Sequence, residues 1–370
     1  MTSALFSPIT MRELQLANRV MVSPMCQYSA VDGCASDWHL MHLGQFAVSG
    51  VGLLMIEMTN VEPRGRISPY CMGLYSNANE QALKRVVQFC RKHGEAKIGI
   101  QIAHAGRKAS TLPPWEGRKP LLPPEGGWQT VAPSAVATGT GAPVPKALDH
   151  NGIASLKDAF VDATRRAARI GFDAVELHAA HGYLIHQFLS PLSNQRKDEY
   201  GGSLENRMRF PLEVFTAMRA VWPVDKPMGV RVSATDWAGG GWAIDDTVRF
   251  IAELKAHGCD WTDVSSGGLV KHQTIPVGPG YQVPFAERVR NDTGITTVAI
   301  GMITEPRQAE EIISTGKADM VALARGMLYD PRWAWHAAFE LGAEVTYPVQ
   351  YLRCRPWVRN DIFSEREASH

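Results

Sequence analysis

Eight short runs rich in apolar and β-branched residues constrain this 370-residue chain more than any other feature. They cover 19–25, 51–58, 97–103, 174–179, 228–233, 261–265, 297–301 and 320–325. Several are apolar at nearly every position, as strands are when helices cover both faces of a parallel sheet. The stretches between them have helical spacing. Ile153, Leu156, Phe160, Ala163 and Ala167 share one face before Gly171. Ile244, Val248, Ile251 and Leu254 do so before Gly258, and Ala309, Ile312 and Ile313 before Gly316. A glycine just past a helix lets the chain turn into the next strand. Eight strands alternating with helices is the count that closes a barrel. No G-x-G-x-x-G follows any run, as a dinucleotide-binding open sheet would require. The expectation is an α/β chain forming one (β/α)8 TIM-barrel domain over 1–370.

One segment breaks the rhythm. Residues 108–149 are rich in Pro and Gly, with Pro-Pro at 113–114 and 123–124, and carry Trp115 and Trp128. They read as an extended third βα loop acting as a lid, because barrels place function in such loops; a disordered insertion is the alternative. The tail, 343–370, contains a basic and aromatic stretch and is expected at a subunit interface.

Composition narrows the function classes. A formal net charge of +1 gives no basic surplus for nucleic acid. No apolar run approaches the roughly 18 residues that span a membrane. The N-terminus lacks the basic-then-apolar order of a signal peptide. Cys26, Cys34, Cys71, Cys90, Cys259 and Cys354 are scattered, without a C-x-x-C pair. Free thiols in the cytoplasm are expected, with no iron–sulfur or zinc site.

Barrels carry their chemistry at the C-terminal ends of strands. Here the first run ends in Ser23-Pro24-Met25-Cys26-Gln27-Tyr28, and the third continues from Gln101 to Lys108. The fourth ends in His178-Ala179-Ala180-His181-Gly182-Tyr183, the fifth holds Arg231, the seventh reaches Gly301 and the eighth Arg325. His178 and His181 can be donors to a carbonyl oxygen, metal ligands, or packed core histidines. Gly301 and Arg325 suit a phosphate held after strands seven and eight. Arg231, inside an apolar strand, requires a partner, either a bound anion or a structural carboxylate. Rival functions are a metal-dependent hydrolase using His178 and His181, a flavin hydroxy-acid oxidase, and a non-catalytic phosphate-ligand-binding barrel.

Six motifs in order carry a resemblance: Ser-Pro-Met-Cys-Gln-Tyr at 23–28, Ile-Gln-Ile-Ala-His-Ala-Gly-Arg-Lys at 100–108, Glu-Leu-His-Ala-Ala-His-Gly-Tyr-Leu at 176–184, Gln-Phe-Leu-Ser-Pro at 187–191, Asp-Glu-Tyr-Gly-Gly-Ser-Leu-Glu-Asn-Arg at 198–207, and Ala-Arg-Gly-Met-Leu-Tyr-Asp-Pro at 324–331. Over nearly its whole length the chain resembles the old yellow enzymes, in the thermophilic-like branch that includes xenobiotic reductases. That resemblance implies non-covalent FMN, and NADPH or sometimes NADH as hydride donor. It also implies ping-pong reduction of activated C=C bonds in α,β-unsaturated carbonyl or nitro compounds. Ser23, Pro24, Met25 and Met58 would flank the flavin, and Cys26 would tune its potential. Gln101 would bond the pyrimidine ring, Arg231 would face N1 and O2, and Gly301, Met302 and Arg325 would hold the phosphate. His178 and His181 would bind the substrate oxygen. Tyr183 would donate the proton and Tyr28 a hydrogen bond, with Lys108 and Trp115 near the pocket. Met58 stands where relatives tend to carry Ala. Tyr351, Arg353, Arg355 or Trp357 from the tail would enter a neighbour's site, implying a homodimer or homotetramer.

Overall fold

The computed structural model describes residues 3–356. Eight parallel strands close into a barrel. They are β1 (Val20–Val22), β2 (Leu53–Asn60), β3 (Lys97–Ala103), β4 (Ala174–Ala179), β5 (Met228–Ser233), β6 (Trp261–Ser265), β7 (Thr296–Ala299) and β8 (Met320–Leu323). Each strand pairs with its neighbours in sequence, and β8 returns to β1 with Val321 opposite Val20. Helices α1 (Asp37–Ala47), α2 (Asn77–His93), α3 (His150–Ile170), α4 (Leu204–Val221), α5 (Ile244–Ala256), α6 (Val283–Thr293), α7 (Pro306–Ser314) and α8 (Trp333–Glu340) alternate with them. Short helical segments follow β4 (Leu184–Leu189) and β8 (Arg325–Tyr329). The architecture is the one the alternating runs predict. Among the described residues no helix is long and apolar enough to cross a membrane.

β3 to β6 have the predicted bounds and are buried almost throughout, as strands covered on both faces are. The other four differ, and β7 and β8 each stop two residues short of the expected end. β1 stops at Val22, because Pro24 has no N–H to continue a ladder. β2 runs to Asn60, and its pairing with β3 shifts register between Ile56 and Thr59. Met58 therefore sits in an irregular step within the strand and does not end it.

Helix α3 starts where the Asp149 carboxylate accepts the Gly152 N–H, buries Ile153, Leu156, Phe160, Ala163 and Ala167, and stops at Gly171 with φ +96°. In α5, Ile251 and Leu254 are buried with Phe250 and Thr247, while Ile244 and Val248 pack only at the edge of that face. The lower barrel is filled by Met21, Leu53, Met55, Trp261, Val298 and Met320. An antiparallel pair, Ile9–Met11 with Leu14–Leu16, covers it through Met11 and Leu16. Gly229 lies opposite Trp261, and any Cβ there would run into the indole.

The 108–149 excursion contains helical turns at Pro114–Glu116 and Pro123–Glu125 and pairs Val131–Ala132 with Lys146–Ala147. Arg107 ties it down, donating to the carbonyls of Val136, Ala137 and, across the barrel mouth, Leu269. The Trp128 indole donates to the Arg64 carbonyl, whereas Trp115 is 66% exposed. The helical turn Val349–Cys354 lies near the entrance to β2, with Tyr351 against Trp335 and Trp335 beside Gly50. Tyr351, Arg353 and Arg355 thus lie at the end of the barrel away from the loops that follow the strands. Trp357 lies outside the described residues.

Candidate active site

The end of β4 is fastened from several directions. His178 is almost fully buried, and its Nδ1 accepts the Ala180 N–H at 3.2 Å. Its Nε2 therefore carries the proton. The chain then turns through His181 at φ +58°, a left-handed conformation costly for a residue with a side chain. Ser233 and Ser265, which face each other across β5 and β6, hold that residue. Ser233 Oγ accepts the His181 N–H at 2.9 Å, and Ser265 Oγ lies 2.7 Å from His181 Nε2. Lys108 Nζ donates to the His181 carbonyl at 2.7 Å and to the Gly268 carbonyl at 3.0 Å. Gly182 passes so close to Gly268 that a Cβ would collide with its carbonyl. The Gly182 N–H reaches His186 Nδ1 at 2.9 Å, and His186 Nε2 lies 2.9 Å from Asp236 Oδ1, both side chains fully buried.

The result is a compact triad of rings. His178 and His181 stand edge to face with centroids 5.2 Å apart, and Tyr183 is 5.0 Å from His178. Burial and the nearby Arg231 charge push both imidazoles far below their ordinary range. Burial pushes the Tyr183 phenol far up. At neutral pH the cluster is therefore two neutral imidazoles and a protonated phenol. Among the described residues, the three-ligand His/Cys/Asp/Glu cluster compact enough for an ion is His150, Asp198 and Glu199, which does not include this pair.

His181's second nitrogen, Nδ1, has no protein partner among the described residues. It can donate if the Ser265 hydroxyl gives its proton to Nε2. Gln282 Oε1 competes for that proton at 3.3 Å but already accepts from Ser266 Oγ at 2.6 Å. The shorter bond to His181 favours the Nδ1–H tautomer.

The segment after β1 crosses the same space. Glu57 Oε2 accepts the Gln27 N–H at 3.0 Å, and Glu57 Oε1 lies 3.2 Å from His39 Nε2. Tyr28, at φ +50°, meets Trp115 edge-on at 5.8 Å. Cys26, Tyr28, Trp128 and Tyr183 pack on an apolar cluster of Met58, Ile67, Cys71, Ala103, Ala105 and Ala109. Met58 is enclosed there at 2% exposure. Cys26 is half-buried. Burial, the Glu57 carboxylate and Cys71 hold it as a thiol.

Beneath the rings lies a polar layer drawn from four adjacent strands. Gln101 Nε2 donates to Glu176 Oε1 at 2.8 Å, and Arg231 Nε lies 3.2 Å from Asp263 Oδ2. Arg231 thus has the structural carboxylate partner that the sequence left open. Burial first, and Asp263 second, push Glu176 up to about 8 against the pull of Arg231. One guanidinium serves two carboxyls, and Glu176 keeps its proton.

On one side of this layer a cavity of about 640 Å³ is lined by Ser23, Arg231, Ser265, Gly301, Met302 and Arg325, among others. Gly301 has φ +109°, and a Cβ there would press on Gln282. The Arg325 side chain has no hydrogen bond or salt bridge among the described residues.

Residues 4–344 match the NADH:flavin oxidoreductase / NADH oxidase family. The chain belongs to that family. It is 46% identical over 355 residues to an NADPH dehydrogenase of Geobacillus thermodenitrificans (strain NG80-2), covering 95% of this chain and 99% of the relative. An NADPH dehydrogenase of Listeria innocua serovar 6a is 44% identical over 353 residues, again 95% and 99%. Among solved structures, morphinone reductase aligns with a TM-score of 0.77 at 29% identity, over 94% of this chain and 92% of that one. The protein is thus an FMN-dependent NAD(P)H oxidoreductase of the old yellow enzyme type. Its 640 Å³ cavity fits FMN on its own terms: an unpartnered arginine at the end of β8, a glycine cradle after β7, and buried polar groups toward the barrel axis.

Sequence reasoning missed Ser233, Ser265, Gln282, the His39–Glu57 pair and the His186–Asp236 pair. It also missed Glu176 and Asp263 as a charge layer. One signal was available: a carboxylate inside an apolar strand, as at Glu57, Glu176 and Asp263, must find a partner.

Proposed function

We propose that this flavoenzyme reduces activated C=C bonds of α,β-unsaturated carbonyl and nitro compounds, taking NADPH and the alkene in turn at one site. One observation carries the reading: two neutral imidazoles and a protonated phenol grouped at the end of β4. His178 Nε2–H and His181 Nδ1–H donate to the substrate oxygen and draw electron density from the β-carbon. The Tyr183 phenol supplies the proton at the α-carbon. Tyr28 adds a hydrogen bond, and Trp115 closes over its ring. Lys108 holds the His181 and Gly268 carbonyls and stands 4.9 Å above the Tyr183 ring, which supports a positioning role.

FMN, when bound, carries the hydride between NADPH and the alkene. Gly301, Met302 and Arg325 hold its phosphate, and Ser23, Pro24, Met25 and Met58 flank its ring. Gln101 and Arg231 meet its polar edge, with Arg231 already steadied by Asp263. Cys26 tunes the potential as a thiol. The 108–149 segment is the lid. Tyr351, Arg353 or Arg355 reaches a neighbouring subunit in a homodimer or homotetramer; their place at the far end of their own barrel supports this reading. Free thiols at all six cysteines suit a cytoplasmic enzyme.

The test is anaerobic. NADPH bleaches the yellow protein, and 2-cyclohexen-1-one then restores its absorbance without oxygen. A protein that bleaches but stays bleached with enones and nitroalkenes would refute the oxidant class.

A further inference from the structure

A second cavity, of about 670 Å³, opens beside the tyrosines. The 108–149 segment forms much of its wall, and the loop after β6, from Gly268 to Gln273, contributes another part. It borders the site directly, because Tyr28, Lys108, Tyr183 and Gly268 line it. Four cations face this space: Arg107, Lys108, Arg118 and Lys271. No aspartate or glutamate lines it.

Two of the four cations are engaged. Arg107 and Lys108 donate to backbone carbonyls, which do not neutralise their charge. The side chains of Arg118 and Lys271 have no hydrogen bond or ion pair among the described residues. Both are exposed, and no carboxylate meets them along this wall. Burial, then Arg118 and Arg107, push Lys108 down to about 8. The Arg118 charge also acts on Cys26, Tyr28 and Tyr183, opposing the rise that burial causes in each. Like charges around a concave wall without counter-charge create a positive potential that an anion relieves.

We propose that this cavity is an anion subsite. It takes a phosphate or carboxylate borne by a reactant whose other end reaches Tyr28, Tyr183 and the paired histidines. Arg118 and Lys271 supply its free charges, and Arg107 and Lys108 its fixed ones. This inference rests on the proposed two-reactant cycle. Two sources share the chemistry: the phosphates of the dinucleotide, or an anionic substituent on the unsaturated substrate.

The experiment uses FMN-loaded protein, so that the cavity beside Arg325 is filled. Inorganic pyrophosphate is titrated calorimetrically into the wild type, the R118A/K271A double variant and the R118E/K271E double variant. Neither side chain has a bond to lose, so both variants should fold. Binding should weaken about tenfold or more in the alanine variant and vanish on charge reversal. Steady-state and single-turnover rates then compare NADPH with uncharged 1-benzyl-1,4-dihydronicotinamide, and 2-cyclohexen-1-one with a carboxylate-bearing enone. A loss confined to NADPH assigns the subsite to the reductant, and a loss confined to the anionic enone assigns it to the substrate. Failure of the wild type to bind pyrophosphate, or binding that survives charge reversal, overturns the proposal. The uncharged pair tests the ene-reductase reading separately, because a wild type inactive with it refutes that reading whatever the calorimetry shows.

Discussion

Replacing Glu176 by Gln tests the buried charge layer quantitatively. Glu176 is fully buried on β4; Gln101 donates to its Oε1, and the Trp261 indole lies beside the carboxyl. Its pKa stands at about 8 in the folded chain, against 4.5 for an unperturbed glutamate. Between those values the unfolded chain has released this proton and the native chain has kept it. The native state binds more protons, so its stability falls as pH rises through that window. A pKa unit corresponds to about 1.4 kcal/mol, which makes the full loss roughly 5 kcal/mol at most. Glutamine has the same shape and no titration. Its carbonyl still accepts from Gln101. The E176Q variant should therefore match the wild type near pH 5 and be the more stable of the two by a few kcal/mol at pH 9. Urea unfolding at pH 5, 7 and 9 measures the difference directly, because carboxylates outside the Glu176–Asp263 pair titrate alike in both proteins. Parallel stability profiles would refute the reasoning and mean that Glu176 is ionised beside Arg231 throughout.

Removing both donors in H178A/H181A should leave FMN bound while cutting alkene reduction about 100-fold or more and weakening phenolic ligands; unchanged turnover would sink the donor assignment. S265A removes the hydroxyl that selects the His181 tautomer. Nitrogen-15 shifts of labelled histidine should then lose the Nδ1–H signature seen in the wild type, and the alkene half-reaction should slow about tenfold with NADPH oxidation preserved. A variant whose histidine shifts stay the same means that the backbone holds the tautomer without Ser265. C26A should move the flavin potential by about 30 mV, equivalent to about 1.4 kcal/mol for a two-electron couple. An unchanged potential with both half-reaction rates intact would reduce Cys26 to packing.

The fold could be read from the sequence where burial alone decides a strand. β3 to β6 are buried on both faces, and their limits match the runs read from the sequence. At β1 and β2 other physics intervenes: a proline that cannot donate, and a register shift that only the pairing with β3 reveals. The site was legible by residue type, because reactive side chains at strand ends have few other reasons to be there. Its partners were not. Ser265 is an ordinary polar residue until Ser233 lies opposite it and His181 turns back over both. His186 and Asp236 lie 50 positions apart and meet only because the turn after β4 packs against the loop after β5. Trp115, read as apolar surface for the excursion, instead stands largely in solvent with one edge on Tyr28.

Register makes this barrel a positioning device. Gln101 pairs with Glu176, His178 with Arg231, Arg231 with Asp263, and Ser233 with Ser265. Ladder bonds across β3 to β6 therefore set the heights of the donors, the charge layer and the two serines together. A slip of one residue anywhere in this set would turn alternate side chains to the opposite face. Arg231 and His178 would then exchange the barrel interior for the helix layer, where an unpaired cation costs several kcal/mol. The apolar plug of Met21, Met55, Trp261 and Met320 lies beneath these layers and fixes the same register by packing. The deep interior and the chemistry thus depend on one alignment, so a change at Trp261 or Gly229 should disturb His181 without touching any ligand.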